Sequence, residues 1–357
     1  MEPFKNIYNK TEIVKLANEI AVVYPPFELE QFISYIIDDV WEQKELKERL
    51  RTITLGLGEF LPTDYLESLE ILKKVHYKFN GLFHLIFPDF VEVYGLEYYE
   101  DSIEALKLFT QNCSSEFAIR PFLVKYPQLI ETLKEWTKDE NEHVRRLVSE
   151  GSRPRLPWGM ALQRYKKEPT KVIEVLELLK DDESEYVRKS VANNLNDISK
   201  DNPKVVKEVL KQWYGKSKNR DWIVKHAART LLKAGDKEIL EIFGYRSDNI
   251  EVMDLQVSER INMNELLNFS FTIQSNNILG KLRIEYKLGL VRQNDKMGYK
   301  VFKISEKEVK ENRIFVEKKH HFKYVTTRKY YDGIHTLTII INGKEFLTKK
   351  FYLKGCS

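Results

Sequence analysis

The chain has 357 residues, 42% of them hydrophobic, which is enough to bury a substantial core and to form more than one domain. Its net charge is +4, no stretch approaches the ~18 consecutive apolar residues of a membrane span, and the opening MEPFKNIYNK lacks the basic and apolar regions of a secretory leader. Membrane and secreted classes are set aside, a cytoplasmic protein is expected, and the two distant cysteines, Cys113 and Cys356, read as free thiols rather than a disulfide or zinc framework.

In chain order, the first signal is helical. Up to about residue 245 apolar residues recur three and four apart, as in Ile130, Leu133 and Trp136, or Val172, Val175, Leu176 and Leu179. Charge divides this region: residues 1 to 138 hold 15 basic and 23 acidic residues, net −8, whereas 139 to 235 hold 21 and 15, net +6. The tail from 251 to 357 holds 20 and 12, net +8. Two basic segments point to a polyanion facing the middle and end of the chain, with ordinary solvation of Lys-rich surfaces as the equal alternative.

An internal repeat organises the basic middle. DENEHVRRLVSEG at 139 to 151 matches DESEYVRKSVANN at 182 to 194, an offset of 43 residues, inside the ~40 to 47 of HEAT and armadillo units. A looser copy is NRDWIVKHAARTL at 219 to 231. Stacked helical repeats would align Arg145, Arg188 and Lys225 on one curved face, as a positively charged groove of duplex width. The alternative is that these cations pair with acids of the neighbouring loop.

After a loose stretch from Tyr245 to Val252 the period falls to two: Leu282, Ile284, Tyr286, Leu288 and Leu290 alternate with mostly polar residues, as in a β-strand. Leu337 to Ile341, then Asn342-Gly343, then Phe346 and Leu347 predict a tight hairpin. The expected architecture is therefore mainly α, a HEAT-like helical repeat solenoid over 1–245 followed by a small all-β immunoglobulin-like sandwich over 246–357. Neither metal nor nucleotide cofactor is expected. His320 and His321 are adjacent but no HExxH occurs, Gly56-Leu57-Gly58 lacks the context of a dinucleotide fingerprint, and there is no phosphate-binding GxxxxGK[ST] loop.

Several segments then resemble one family. SSEFAIRPFL at 114 to 123, GSRPRLPWG at 151 to 159 and SEYVRKSVANNLNDISKDNP at 184 to 203 look like the DNA alkylation repair glycosylases with HEAT-like repeats, most closely the AlkC branch. Support comes from PFKNIYN and LKERLRTITLGLGEFLP near the start, WIVKHAARTLLKAGD at 222 to 236, and TTRKYYDGIHTLTIIING at 326 to 343, the last similar to that branch's immunoglobulin-like domain. One departure is Asn194, which stands where the family's ANHLND pattern has histidine.

The resemblance implies hydrolysis of the N-glycosidic bond of 3-methyladenine and 3-methylcytosine in duplex DNA, without flipping the base out, initiating base excision repair. It assigns the active-site carboxylates to Glu116 and Asp197 and the active-site tryptophan to Trp158. Without it, Glu116 reads first as a helix first-turn carboxylate, Asp197 as an acid near a helix end, and Trp158 as a loop residue packed on the core. The expected partner is double-stranded DNA, met by a monomer. Its phosphates would face Arg153, Arg155, Arg188 and Lys225, with Arg120, His226 and Arg229 as weaker candidates and Arg328 and Lys329 in the tail. A non-catalytic HEAT-repeat scaffold that binds DNA, or a protein-binding adaptor of the same architecture, explains the repeats and charge equally and separates from the enzyme at Glu116 and Asp197.

Overall fold

Where apolar spacing changes from three and four to two, the backbone changes with it: helices run as far as Ile242 and strands begin at Ile250. The computed structural model describes residues 3–293, 296–323 and 329–354. The chain divides into two compact units, 1–227 and 228–357. Among the described residues no helix is long and apolar enough to cross a membrane.

The first unit is helical. Its three repeat copies fall on the helices Glu142–Gly151, Glu185–Ile198 and Lys218–Ala227, and the middle one packs against both others. Each of the first two copies opens on a polar residue with extended backbone: Asn141, whose side chain accepts from the His143 amide, and Ser184. The apolar stripe that follows, Val144, Leu147 and Val148 in one copy and Val187, Val191 and Leu195 in the next, is fully buried.

The repeated arginine has a structural explanation. Arg145 donates through Nη1 to the carbonyls of Asp139 and Glu140, both at 2.9 Å, and Arg188 donates to those of Asp182 and Glu183, both at 2.7 Å. In each copy the guanidinium closes the loop leading into its own helix. Arg145 also forks onto Asp182 of the following repeat at 2.7 and 3.0 Å. It is buried there, so the expectation of Arg145 lining a groove gives way to a tie between successive repeats.

The second unit begins with the short helices Arg229–Lys233 and Lys237–Ile242 and continues as strands β1 (Ile250–Val257), β2 (Arg260–Asn262), β3 (Leu266–Ser275), β4 (Gly280–Val291), β5 (Met297–Val309), β6 (Arg313–His321), β7 (Gly333–Ile341) and β8 (Lys344–Lys354). One sheet has the order β1-β3-β6 and the other β2-β8-β7-β4-β5. Phe269, Phe271 and Ile273 of the first sheet share a single apolar core with Leu282, Ile284, Leu288, Leu337 and Ile339 of the second. The β7–β8 turn is Asn342-Gly343, at φ 48° and 78°, the left-handed pair that a two-residue hairpin needs. Asn342 is buried, accepting from the Arg283 amide at 2.7 Å and donating to the carbonyls of Arg246 and Lys281 at 2.6 and 3.1 Å.

Candidate active site

Three segments of the first unit converge on one cluster of charges. Glu116 stands in the turn just before the helix Ile119–Lys125, not within its first turn. Gly151 closes the helix Glu142–Gly151 against that segment: a Cβ there would lie 2.7 Å from Ile119 Cγ2, so only glycine permits the approach. Asp197 is the penultimate residue of the helix Glu185–Ile198.

The carboxylates are linked through guanidinium groups. Glu116 accepts from Ser114 Oγ and from Arg146, and Arg146 also reaches Ser114 Oγ at 2.8 Å and Glu150 at 3.5 Å. Glu150 accepts from Arg153 Nη1 at 2.6 Å and from Ser190 Oγ at 2.6 Å. Arg153 turns its other nitrogens, Nε at 2.8 Å and Nη2 at 2.7 Å, onto Asp197 Oδ2, and Lys200 Nζ meets Oδ1 of the same carboxylate at 2.7 Å. Carboxylate and cation thus alternate in the order Glu116, Arg146, Glu150, Arg153, Asp197, Lys200. All but Lys200 are largely withdrawn from solvent.

Burial by itself would weaken the charge on Arg146, but Glu116 and Glu150 more than offset this and hold the guanidinium above its ordinary pKa. Arg153 is raised in the same way, burial being outweighed by Glu150 and Asp197. Tyr186 covers this end of the cluster, with the Arg146 guanidinium 5.0 Å from its ring centroid, a cation–π contact. Cys113 lies close by; burial and then the Glu116 charge push its thiol up to about 11, so it is no nucleophile at neutral pH.

Trp158 is presented by the loop that follows Gly151. Its side chain is 72% exposed and its backbone sits at φ 65°, a conformation that a bulky residue rarely adopts. The loop is held from below by Arg120, fully buried, which donates to the Gly151 carbonyl at 2.8 Å and to the Met160 carbonyl at 2.8 and 2.5 Å. Burial lowers the Arg120 guanidinium to about 10, still cationic at neutral pH. Lys47, from the helix Leu46–Phe60, donates to the Trp158 carbonyl. An exposed indole on a rigidly braced, strained loop is thus a different object from the core-packed residue that its flanking prolines suggest.

The other expected DNA contacts are spread out. Arg155 is exposed and forks onto Asp201 at 2.7 and 2.6 Å. Lys225 is exposed on the helix Lys218–Ala227; on the same helix His226 meets Asn193 at 3.1 Å and stacks on Trp222 with centroids 5.1 Å apart. Arg229 is exposed at the start of the second unit, and there Lys329 lies 5.6 Å from the Tyr331 ring centroid. Arg328 lies outside the described residues.

Arg146, Glu150 and Lys200 are absent from the sequence-based selection. Arg146 and Glu150 are spaced by four on one helix, with Arg153 two residues beyond its end, and the spacing of the first two was readable. The repeat alignment drew attention to Arg145 instead, one position away.

Residues 92–231 match the profile described as DNA alkylation repair enzyme, and residues 251–355 that of the C-terminal Ig-like domain of the uncharacterised protein YhaZ. The Uncharacterized protein YhaZ of Bacillus subtilis (strain 168) is 47% identical over 348 residues, covering 96% of this chain and 97% of that one. The solved structure of the Pseudomonas fluorescens alkylpurine DNA glycosylase AlkC, bound to DNA containing an abasic site analog, is 34% identical and superposes with a TM-score of 0.92 over 99% of this chain and 100% of that one.

Proposed function

Because the chain belongs to the AlkC branch of the DNA alkylation repair enzymes, we propose that it excises cationic alkylated bases, 3-methyladenine and with it 3-methylcytosine, from duplex DNA, without flipping the base, as the first step of base excision repair. The observation that supports this reading best is the row of three carboxylates, largely withdrawn from solvent and linked by Arg146 and Arg153, together with the exposed Trp158 on the loop that follows Gly151. A scaffold has no need of such a row.

The chemistry follows from the substrate's charge. A base alkylated at N3 is already a cation, so when the C1′–N bond breaks the electron pair neutralises the base and no acid is required. Positive charge passes to the sugar as an oxocarbenium-like species. Glu116 and Asp197, fixed by Arg146 and Arg153, stabilise that charge electrostatically. A water then bonds to C1′ and gives its proton to one of the carboxylates. Trp158 packs its π face on the deoxyribose or the cationic base. Arg153 acts in this scheme by holding Asp197, and the exposed Arg155 and Lys225, carried on a solenoid of HEAT-like repeats, meet phosphates, Arg155 by exchanging its Asp201 partner for one. Contacts of that kind carry no sequence information, which suits an enzyme acting at any position in a genome.

The test is release of 3-methyladenine from methylated duplex DNA by the purified protein, beside Glu116→Gln and Asp197→Asn. Each variant should lose on the order of a hundredfold or more in single-turnover rate, the scale seen when a fixed group facing the transition state is removed. Undiminished release by both would refute the mechanism. Duplex binding without any release by the wild type would favour the scaffold.

A further inference from the structure

The cations on the carboxylate row are not equivalent. Arg146 and Arg153 are largely withdrawn from solvent, and each bridges two carboxylates with a planar fork. Lys200 is different in every respect. Among the described residues its ammonium makes one ion pair, to one oxygen of Asp197, from the turn beyond the helix end, and its side chain is 40% exposed while the carboxylate it covers is 2% exposed. Among the described residues it is the one cation on Asp197 Oδ1, Oδ2 being engaged by Arg153.

From this we infer that Lys200 is a specificity-determining residue: its ammonium occupies Asp197 Oδ1 in the free enzyme, and the positive charge of the damaged nucleotide displaces it. The inference rests on the glycosylase reading above. A lysine suits this exchange because its charge is compact, strongly hydrated and carried on a flexible stem, so it can leave Asp197 for water or for a phosphate with little rearrangement. Arg153 cannot leave without taking an ion-pair partner from two buried carboxylates at once. A neutral nucleotide brings no charge to replace the ammonium and so gains nothing from Asp197. Asp197 therefore favours cationic lesions over ordinary bases, and the ammonium, which a cation must displace and a neutral nucleotide leaves in place, keeps the buried carboxylate paired before DNA arrives and holds that preference below what the bare carboxylate would give.

The experiment measures the affinity of the full-length protein for two duplexes differing at one nucleotide, a pyrrolidine abasic analogue with a charged ring nitrogen and a neutral tetrahydrofuran analogue. Wild type should prefer the pyrrolidine duplex. Lys200→Gln should increase that preference by about threefold, the scale of one solvent-side ion pair, whatever happens to overall affinity. Lys200→Arg, which holds a carboxylate through a fork, should decrease it. Parallel weakening of both duplexes in Lys200→Gln, with the preference unchanged, would make Lys200 an ordinary phosphate contact and overturn the inference. No preference in the wild type, together with no 3-methyladenine release, would remove the glycosylase reading itself.

Discussion

Trp158 combines two costs that folding alone does not explain: a large apolar side chain left in solvent and a backbone at positive φ. Both are sustained by neighbours, Arg120 through three hydrogen bonds to the loop carbonyls and Lys47 through the Trp158 carbonyl itself. The indole therefore adds little to the core. Trp158→Ala should leave the denaturant midpoint within about 0.5 kcal/mol of wild type, the usual range for a surface change. Under the proposed reaction it should slow base release by roughly tenfold, as loss of a cation–π contact of about 1.4 kcal/mol would. Chemical denaturation and single-turnover release measure the two effects separately, and a large loss of stability would return Trp158 to the scaffold.

At the scale of helices, two buried polar arrangements decide how the first unit responds to change. Asn194 is fully buried and donates to the Ser149 carbonyl at 2.8 Å and to Ser152 Oγ at 3.2 Å. It fastens the helix carrying Asp197 to the end of the helix carrying Glu150 and does not itself touch the carboxylates. Asn194→Ala should cost about 1–3 kcal/mol, because it removes both buried hydrogen bonds that this side chain makes between the two helices, and thermal unfolding would register this as a lower midpoint. The second arrangement is His76 and His84, whose rings meet at 3.3 Å among Phe87 and Phe109. Burial lowers both, His84 to about 3, so the folded protein keeps them neutral while the unfolded chain takes up protons below about 6.5. Stability is thus full above that pH and falls as pH drops towards 3. At pH 5, His84 alone should account for about 2 kcal/mol of the loss. Urea titrations at pH 7 and pH 5 should differ less in His84→Gln than in wild type. The sequence made part of this legible: the offset of 43 residues placed the repeat helices in register, and alternation and Asn-Gly located β4 and the β7–β8 turn. The ion-pair row was not legible, because Arg146 finds Glu116 and Arg153 finds Asp197 only across turns that spacing along the chain does not encode.

For the whole molecule, the 228–357 unit has its own apolar core, drawn from both of its sheets. Calorimetry should then resolve two transitions. Phe271→Ala, at a fully buried position of β3, should lower one of them by the equivalent of about 3–5 kcal/mol and leave the other in place. A single transition that moves as one would refute this independence. The segment boundaries also show what periodicity reads well and poorly. A change of period marks where strands begin, but the short helices Arg229–Lys233 and Lys237–Ile242 read as a continuation of the helical region although they group with the strands. The position of Trp158 has one more consequence, for observation. Of the chain's five tryptophans, Trp41, Trp136 and Trp213 are buried and Trp222 is 40% exposed, which leaves Trp158 the most solvent-facing indole. Its emission should lie to the red of the others and be most open to quenching by acrylamide, so the native protein carries an intrinsic fluorescent reporter at the place where the damaged nucleotide is proposed to sit.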